Sequence, residues 1–238
     1  LSSAFTAPLA SAIFVIEEVE KFDSPKIAIS SLLGGIASGW IAKEFITGNA
    51  YALIDTTSPD NIGILSMILI FLGFALLLSI IGKAFNFLTL KMQSISRHSK
   101  IKPAFKVLAL ILVTYIVGYF FSDLVAGGES FLLNQALSIE TGILYLGGII
   151  LLKLFFTPFC YSSGFPGGIF LPLLVIGGLT GKWYTLLLAH WGIIDVHYFG
   201  FFMVIGMSAL FAAVVRSPIT GLILILEMTG KFSIFFPM

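Results

Sequence analysis

Long apolar runs, separated by short polar stretches, cover most of the chain. Four of them, residues 27–46, 62–90, 104–122 and 143–160, contain few charged residues. About 20 apolar residues in a helix span the ~30 Å hydrocarbon core of a bilayer. The pattern therefore predicts a transmembrane helix over each run. The second run would form a helix of about 43 Å at 1.5 Å per residue, so we expect it to tilt or to protrude.

Three further apolar stretches are too short or too interrupted to span a bilayer. Residues 7–16 and 217–226 are each about half a span and are followed by a glutamate, and residues 165–172 contain two prolines and two glycines. Such pieces are typical of re-entrant or discontinuous helices. We therefore predict an all-α integral membrane domain over residues 1–238 that combines complete spans with broken helices.

The two half-length segments share one pattern. When Pro8 is aligned with Pro218, Glu17 falls on Glu227, and both copies read P-[LI]-x7-E-x3-K-F. Counting the membrane crossings between the copies places them in opposite directions. This is the arrangement of an inverted-topology repeat, whose substrate site lies near the bilayer midplane. Chance similarity between two short apolar helices is the alternative, and the shared Pro, Glu, Lys and Phe at one offset argue against it.

Composition supports a membrane protein, and charge supplies its orientation. Hydrophobic residues make up 58% of the chain and charged residues 11%, with a mean hydropathy of +1.06. A net charge of +1 gives no reason to expect nucleic acid as a partner, and the single cysteine, Cys160, cannot form an intrachain disulfide. Residues 91–106 carry five Lys or Arg and no acid, so the positive-inside rule places that loop in the cytoplasm.

The stretch from Ser162 to Pro172 reads S-S-G-F-P-G-G-I-F-L-P and is the most informative chemical motif. Its glycines permit a turn, and Pro172 suits the first turn of a helix, where no N–H is needed. A helix that begins inside the membrane offers unpaired N–H groups and the positive end of its dipole to an anion. The alternative is a kinked helix–loop–helix that serves packing alone.

Three segments resemble the CLC family of chloride channels and exchangers, its bacterial members especially. Residues 168–172, G-I-F-L-P, fit the family signature G-x-F-x-P, and residues 216–221 followed by L-E-M-T resemble R-A-P-L-T-G…L-E-M-T. Residues 4–9, followed by Glu17 and Glu18, resemble A-F-N-A-P-L…E-E, with Thr6 in place of Asn. The resemblance covers essentially the whole chain and implies a CLC-type inverted-repeat bundle.

The resemblance also implies an anion site. The backbone N–H groups of Ile169 and Phe170, next to Gly168, would contact the central chloride. Glu18 occupies the position of the internal proton-transfer glutamate of family exchangers; its alternative role is a helix-end acid paired with Lys21.

Three charged residues are assigned to structure or to the edge of the pathway. Glu17 and Glu227 are expected to act as caps or pairing partners of the repeat. Lys153 interrupts an apolar run, and a structural ion pair is the expected role for an intramembrane cation.

The function that follows is chloride transport, as a chloride/proton antiporter. The resemblance implies a multi-pass homodimer in the bilayer, in a bacterial plasma membrane, with chloride and protons as the transported ions and neither a cofactor nor a metal. The resemblance also implies that the two repeat copies and the helix over residues 27–46 supply much of the subunit contact. On that helix Gly34, Gly35, Ser38 and Gly39 allow close approach; the alternative is that they pack against helices of their own subunit. Both ends look like cuts, so the family's serine motif, gating glutamate and pore tyrosine are expected outside the chain.

Other functions remain open from the sequence. A passive chloride channel shares the fold, and proton flux would separate it from an exchanger. Nitrate or fluoride could replace chloride, although the intact G-x-F-x-P argues against a fluoride exporter. No catalytic constellation for a membrane enzyme is visible. Broken, glycine-rich helices disfavour a purely structural protein.

Overall fold

The computed structural model describes residues 2–20, 25–45, 54–59, 62–100, 102–121, 132, 134, 135, 138, 141–164 and 168–231, and every regular element in these residues is helical. The α-helices are α1 (Ser2–Phe5), α2 (Pro8–Phe14), α3 (Pro25–Phe45), α4 (Ile64–His98), α5 (Pro103–Phe120), α6 (Ile143–Tyr161), α7 (Phe170–His190), α8 (Phe199–Val215) and α9 (Pro218–Thr229). A π-helix, Val15–Glu20, continues α2, and a 3-10 turn, Val196–Tyr198, precedes α8.

Within the described residues, four helical segments are long and apolar enough to cross a membrane: α4, α6, α7 and residues 196–215. The sequence pattern predicts α4 and α6 as spans. α3 and α5 form helices over the other two predicted runs, but neither is among these four segments. α4 has 35 residues, about 52 Å at 1.5 Å per residue, so it is longer than a bilayer core, as expected. The sequence pattern did not predict α7 as a complete span, because glycines and prolines interrupt the apolar run at its start. The apolar residues of α8 were not among the predicted runs either.

α7 and α8 form the centre of the bundle and are its most buried helices. Their backbones touch where small residues meet. A Cβ atom added to Gly177 would lie 2.3 Å from the carbonyl oxygen of Gly206, and one added to Gly181 would lie 2.0 Å from that of Phe202. Small residues allow this approach, which is a common way to pack helices in membranes.

The two repeat copies share their backbone conformation before the helix begins. Ala7, which precedes Pro8, has φ −122° and ψ 77°, and Ser217, which precedes Pro218, has φ −121° and ψ 78°. The residues before them, Thr6 and Arg216, are both left-handed, with φ of 51° and 66°. A non-glycine residue in this region costs about 1–3 kcal/mol, so its recurrence at both positions supports one motif used twice. The Lys and Phe that end each pattern lie outside the described residues, except Lys231.

Lys182 on α7 is completely buried, and its ammonium group donates to oxygen atoms and lies 5.4 Å from the centre of the Phe199 ring. The amine lies 2.7 Å from the carbonyl oxygens of Gln135 and Ser138, and 2.9 Å from Oγ1 of Thr141. The segment before α6 is therefore tied to the middle of α7. Lys182 is not among the residues that the sequence motifs indicate.

The small residues of α3 face their own chain in part. A Cβ on Gly35 would meet Oγ of Ser11 at 2.5 Å, and Gly39 faces Ser2 in the same way, whereas Gly34 has open space around it. The expectation that these glycines admit a second subunit is wrong for Gly35 and Gly39, because α1 and α2 already occupy that face. The exposed face of α3 carries large apolar side chains instead, Ile29, Leu33 and Trp40 among them.

Candidate functional site

Glu17 and Glu227 each cap the helix that carries the other. The carboxylate of Glu227 accepts hydrogen bonds from the amides of Leu9 (3.0 Å) and Ala10 (2.7 Å), in the first turn of α2. The carboxylate of Glu17 accepts from the amides of Ile219 (3.2 Å) and Thr220 (2.8 Å), in the first turn of α9, and from the Thr220 hydroxyl at 2.8 Å.

This exchange fixes the relative direction of the two copies. Because the glutamate at the end of each helix reaches the beginning of the other, α2 and α9 lie side by side and antiparallel. Carboxylates favour helix N-termini, where amides lack intrahelical partners. The arrangement agrees with the roles expected for Glu17 and Glu227 and with the inverted repeat.

Glu18 has different surroundings from its neighbour. It lies in the π-helix Val15–Glu20, is half-buried, and has no hydrogen-bond partner among the described residues. Consecutive residues on a helix differ by roughly 100° in direction, so Glu18 does not share the face that caps α9. The second copy remains α-helical through this region and has Met228 at the equivalent position. π-Helical turns occur frequently at functional sites. Lys21, the alternative partner of Glu18, lies outside the described residues.

The stretch 162–172, called the anion motif below, leads into a long helix, as its sequence predicts. α6 ends at Tyr161, and Gly164 follows with φ +83°, a conformation that glycine adopts without strain. α7 begins at Phe170 with Ile169 as its N-cap, and Pro172 falls in the first turn. The amides of Ile169 and Phe170 therefore belong to the group that has no intrahelical acceptor. Gly168 is exposed, and Ile169 and Phe170 are half-buried.

The side chain of Phe170 connects the anion motif to the first repeat copy. Its ring packs edge-on against Phe14, with centroids 5.4 Å apart, and stacks on Phe211 of α8, also at 5.4 Å. Phe14 is the last residue of α2 and lies four positions before Glu18. The start of α7 is thus next to the helix that carries the candidate proton acceptor. The sequence offered no signal for either aromatic partner, because the three rings are far apart along the chain.

Lys153 is buried on α6, with 8% of its surface exposed. This burial agrees with a cation that faces protein and not lipid. The ion pair expected from the sequence stays a prediction.

Comparison with known proteins agrees with the motifs and the fold. The sequence model of the voltage-gated chloride channel family matches residues 1–238. The chain belongs to the CLC family. An H(+)/Cl(−) exchange transporter ClcA from Klebsiella pneumoniae is 31% identical over 246 residues, which cover 100% of this chain and 51% of the relative. The ClcA of Yersinia pestis is 30% identical, with 100% of this chain and 50% of the relative covered.

Two solved CLC structures share the fold. A slow cyanobacterial Cl−/H+ antiporter matches with a TM-score of 0.79 and 27% identity, over 99% of this chain and 55% of the other. A CLC-type fluoride/proton antiporter matches with a TM-score of 0.75 over 98% of this chain and 57% of the other, and at 18% identity it supports the fold alone. The chain spans about half the length of the curated relatives that it matches.

Proposed function

We propose that the protein containing this chain exchanges chloride for protons across a membrane. The anion binds at the amides of Ile169 and Phe170, and the proton enters through Glu18. The observation that carries the proposal is the contrast between two adjacent carboxylates: Glu17 is occupied by three hydrogen bonds, and Glu18 has none from the described residues. Protonating Glu17 would weaken the cap on α9, whereas protonating Glu18 disturbs no hydrogen bond among the described residues.

The anion site follows from helix electrostatics. The start of α7 provides amide donors and the positive end of a 21-residue helix. Such an end binds an anion without a full positive charge, and release therefore stays fast enough for transport. The relatives named as H(+)/Cl(−) exchange transporters support chloride as the ion.

The decisive experiment measures both ions in the full-length protein reconstituted in liposomes. A chloride gradient should drive protons uphill, in the direction opposite to chloride. This proton movement should stop when chloride is replaced by an impermeant anion. Chloride flux without proton movement would establish the second candidate, a passive channel. The observation that favours this candidate is the description of the matching family, which is that of voltage-gated chloride channels. Substituting nitrate or fluoride in the same assay tests the anion.

We also propose a homodimer in a bacterial plasma membrane. Support comes from apolar side chains left uncovered on the repeat copies and on α3: Leu9, Ile219 and Trp40 are 51%, 58% and 72% exposed. Single cysteines at Leu9, Ile29 or Ile219, in a protein whose Cys160 is replaced by Ser, should cross-link two subunits. A cysteine at the exposed Leu76 of α4 is the matched control. Cross-linking at none of the three positions would contradict the proposed interface.

A further inference from the structure

A cavity lies where three helix ends meet, and Ser162 and Ser163, the first two residues of the stretch 162–172, line one side of it. The end of α4, the start of α5 and the end of α6 line an open cavity of about 220 Å³. Its walls are mainly apolar and also contain one ammonium group and several hydroxyl groups. The lining includes Ile95, Ser96, Phe105, Lys106, Ala109 and Phe159. An apolar chamber with a single cation suits a ligand that has a hydrocarbon part and a negative part.

Lys106 places its charge at the seam between α4 and α5. Its amine donates to the backbone carbonyl of Ser96 and lies 3.5 Å from the Ser96 hydroxyl. No carboxylate among the described residues pairs with it. An ammonium group has three donors, so Lys106 can bind an anionic oxygen while it keeps its contact to α4.

The surroundings of the cavity are positively charged. Arg97, Lys100 and Lys102 are exposed beside it, and the chain contains no Asp or Glu from residue 61 to residue 122. The positive-inside rule places this loop at the cytoplasmic surface of the membrane, where anionic lipids concentrate. Charge complementarity therefore favours a negative ligand from that leaflet.

The outer rim of the cavity has the character of a lipid-facing surface. Ile95 and Phe105 are 58% and 62% exposed, and they continue the exposed apolar faces of α4 and α5. A small hydrophilic anion would gain nothing from these side chains, whereas an acyl chain would bury them.

We propose that this cavity binds an anionic phospholipid of the cytoplasmic leaflet. The phosphate contacts Lys106, and the first part of an acyl chain lies along Ile95, Phe105 and Ala109. The proposal does not depend on whether the protein is a channel or an exchanger, because either could carry this site.

The test uses full-length protein in detergent and measures the binding of phosphatidylglycerol and of phosphatidylcholine with identical acyl chains, by native mass spectrometry. Wild type should retain phosphatidylglycerol preferentially. Because a basic residue near a membrane surface contributes about 1 kcal/mol toward anionic lipid, Lys106→Gln should weaken that binding about fivefold, and Lys106→Arg should preserve it. Ala109→Trp, which fills the apolar part, should weaken both lipids.

Lys91→Gln is the matched control, because Lys91 is an exposed lysine on α4 that packs over the Phe87 ring and does not line the cavity. Equal losses in Lys91→Gln and Lys106→Gln would show a diffuse surface effect and overturn the proposal. So would equal retention of the two lipids by wild type. Competition by inorganic phosphate at matched concentration would identify a free-anion site instead. A segment of the protein's own chain found in the cavity would also refute the lipid.

Discussion

Glu17 and Glu227 lie 210 residues apart and perform the same task for each other's helix. Each carboxylate caps the first turn of the helical segment that carries the other glutamate near its end. Neither cap can be seen in one copy alone, since the residue and the amides that it satisfies are in different halves of the repeat. The two carboxylates join the two copies of the repeat and hold α2 against α9.

This reciprocal capping predicts coupled losses of stability. Hydrogen bonds to a charged group contribute about 1.5–3 kcal/mol, so Glu17→Ala and Glu227→Ala should each destabilise the protein by about 2 kcal/mol in a reversible unfolding assay. Because both bridge one helix pair, the double variant should lose less than the sum, by at least about 0.5 kcal/mol. Glu44→Ala, at the exposed end of α3, should change stability by less than about 0.5 kcal/mol. Strictly additive losses would argue against a shared interface.

Glu18→Gln tests the proton route. The amide cannot accept and release a proton, so the variant should retain chloride flux in liposomes and lose coupled proton movement. Glu17→Gln is the neighbouring control: correctly folded molecules should keep the coupling ratio, although the yield of folded protein should fall. Undiminished proton transport by the Glu18 variant would remove this residue from the route.

Ile169→Pro tests the anion donor. Proline at this N-cap deletes one N–H group, and because its ring fixes φ near −65° the backbone of residue 169, now at −99°, must also shift. Losing one hydrogen bond to a charged ligand should weaken chloride binding about tenfold or more, as measured by calorimetry on the full-length protein. Ile169→Ala keeps the N–H and removes the side chain, so its affinity should stay close to wild type. Similar affinities in the two variants would contradict amide binding at this position.

Gly177→Ala tests the contact at the centre of the bundle. The new methyl would meet the Gly206 backbone at 2.3 Å, and overpacking of this kind costs about 1–3 kcal/mol. Gly148→Ala on α6 has nothing within 4 Å of its new methyl and should be neutral or stabilising by up to about 1 kcal/mol, because alanine is the better helix former. Thermal unfolding of both variants makes the comparison. Equal midpoints would mean that α7 and α8 do not touch here.

Lys182→Met tests the buried lysine of α7. The change leaves carbonyls of Gln135 and Ser138 without their donor, and an unsatisfied buried polar group costs about 1–3 kcal/mol. We expect a loss of about 3 kcal/mol and faster hydrogen exchange in the peptide that carries both residues. Lys43→Met, exposed at the end of α3, should affect neither measurement. Unchanged exchange in the Lys182 variant would show that the lysine does not hold this segment.

The sequence alone determined the class of protein, the repeat and the start of the anion motif. Apolar run length predicts helices that cross a bilayer, because backbone groups must be satisfied inside each helix there. The alignment of Pro8 with Pro218, which places Glu17 on Glu227, can be read directly from the sequence. The position of Pro172 likewise predicts a helix that begins near Phe170, as observed. Each of these features is a property of one contiguous segment or of the comparison of two segments, and none requires knowledge of which segments touch.

Only the tertiary structure decided which residues meet. The assignment of the Glu17 and Glu227 carboxylates to opposite helices, the enclosure of Phe170 between Phe14 and Phe211, and the orientation of Gly35 toward α2 all join segments distant in sequence. Apolar periodicity gave no guide to partners, because helices in a membrane are apolar on faces that meet lipid and on faces that meet protein. Side-chain size and buried hydrogen bonds select the partner, and those contacts exist only once the helices have packed.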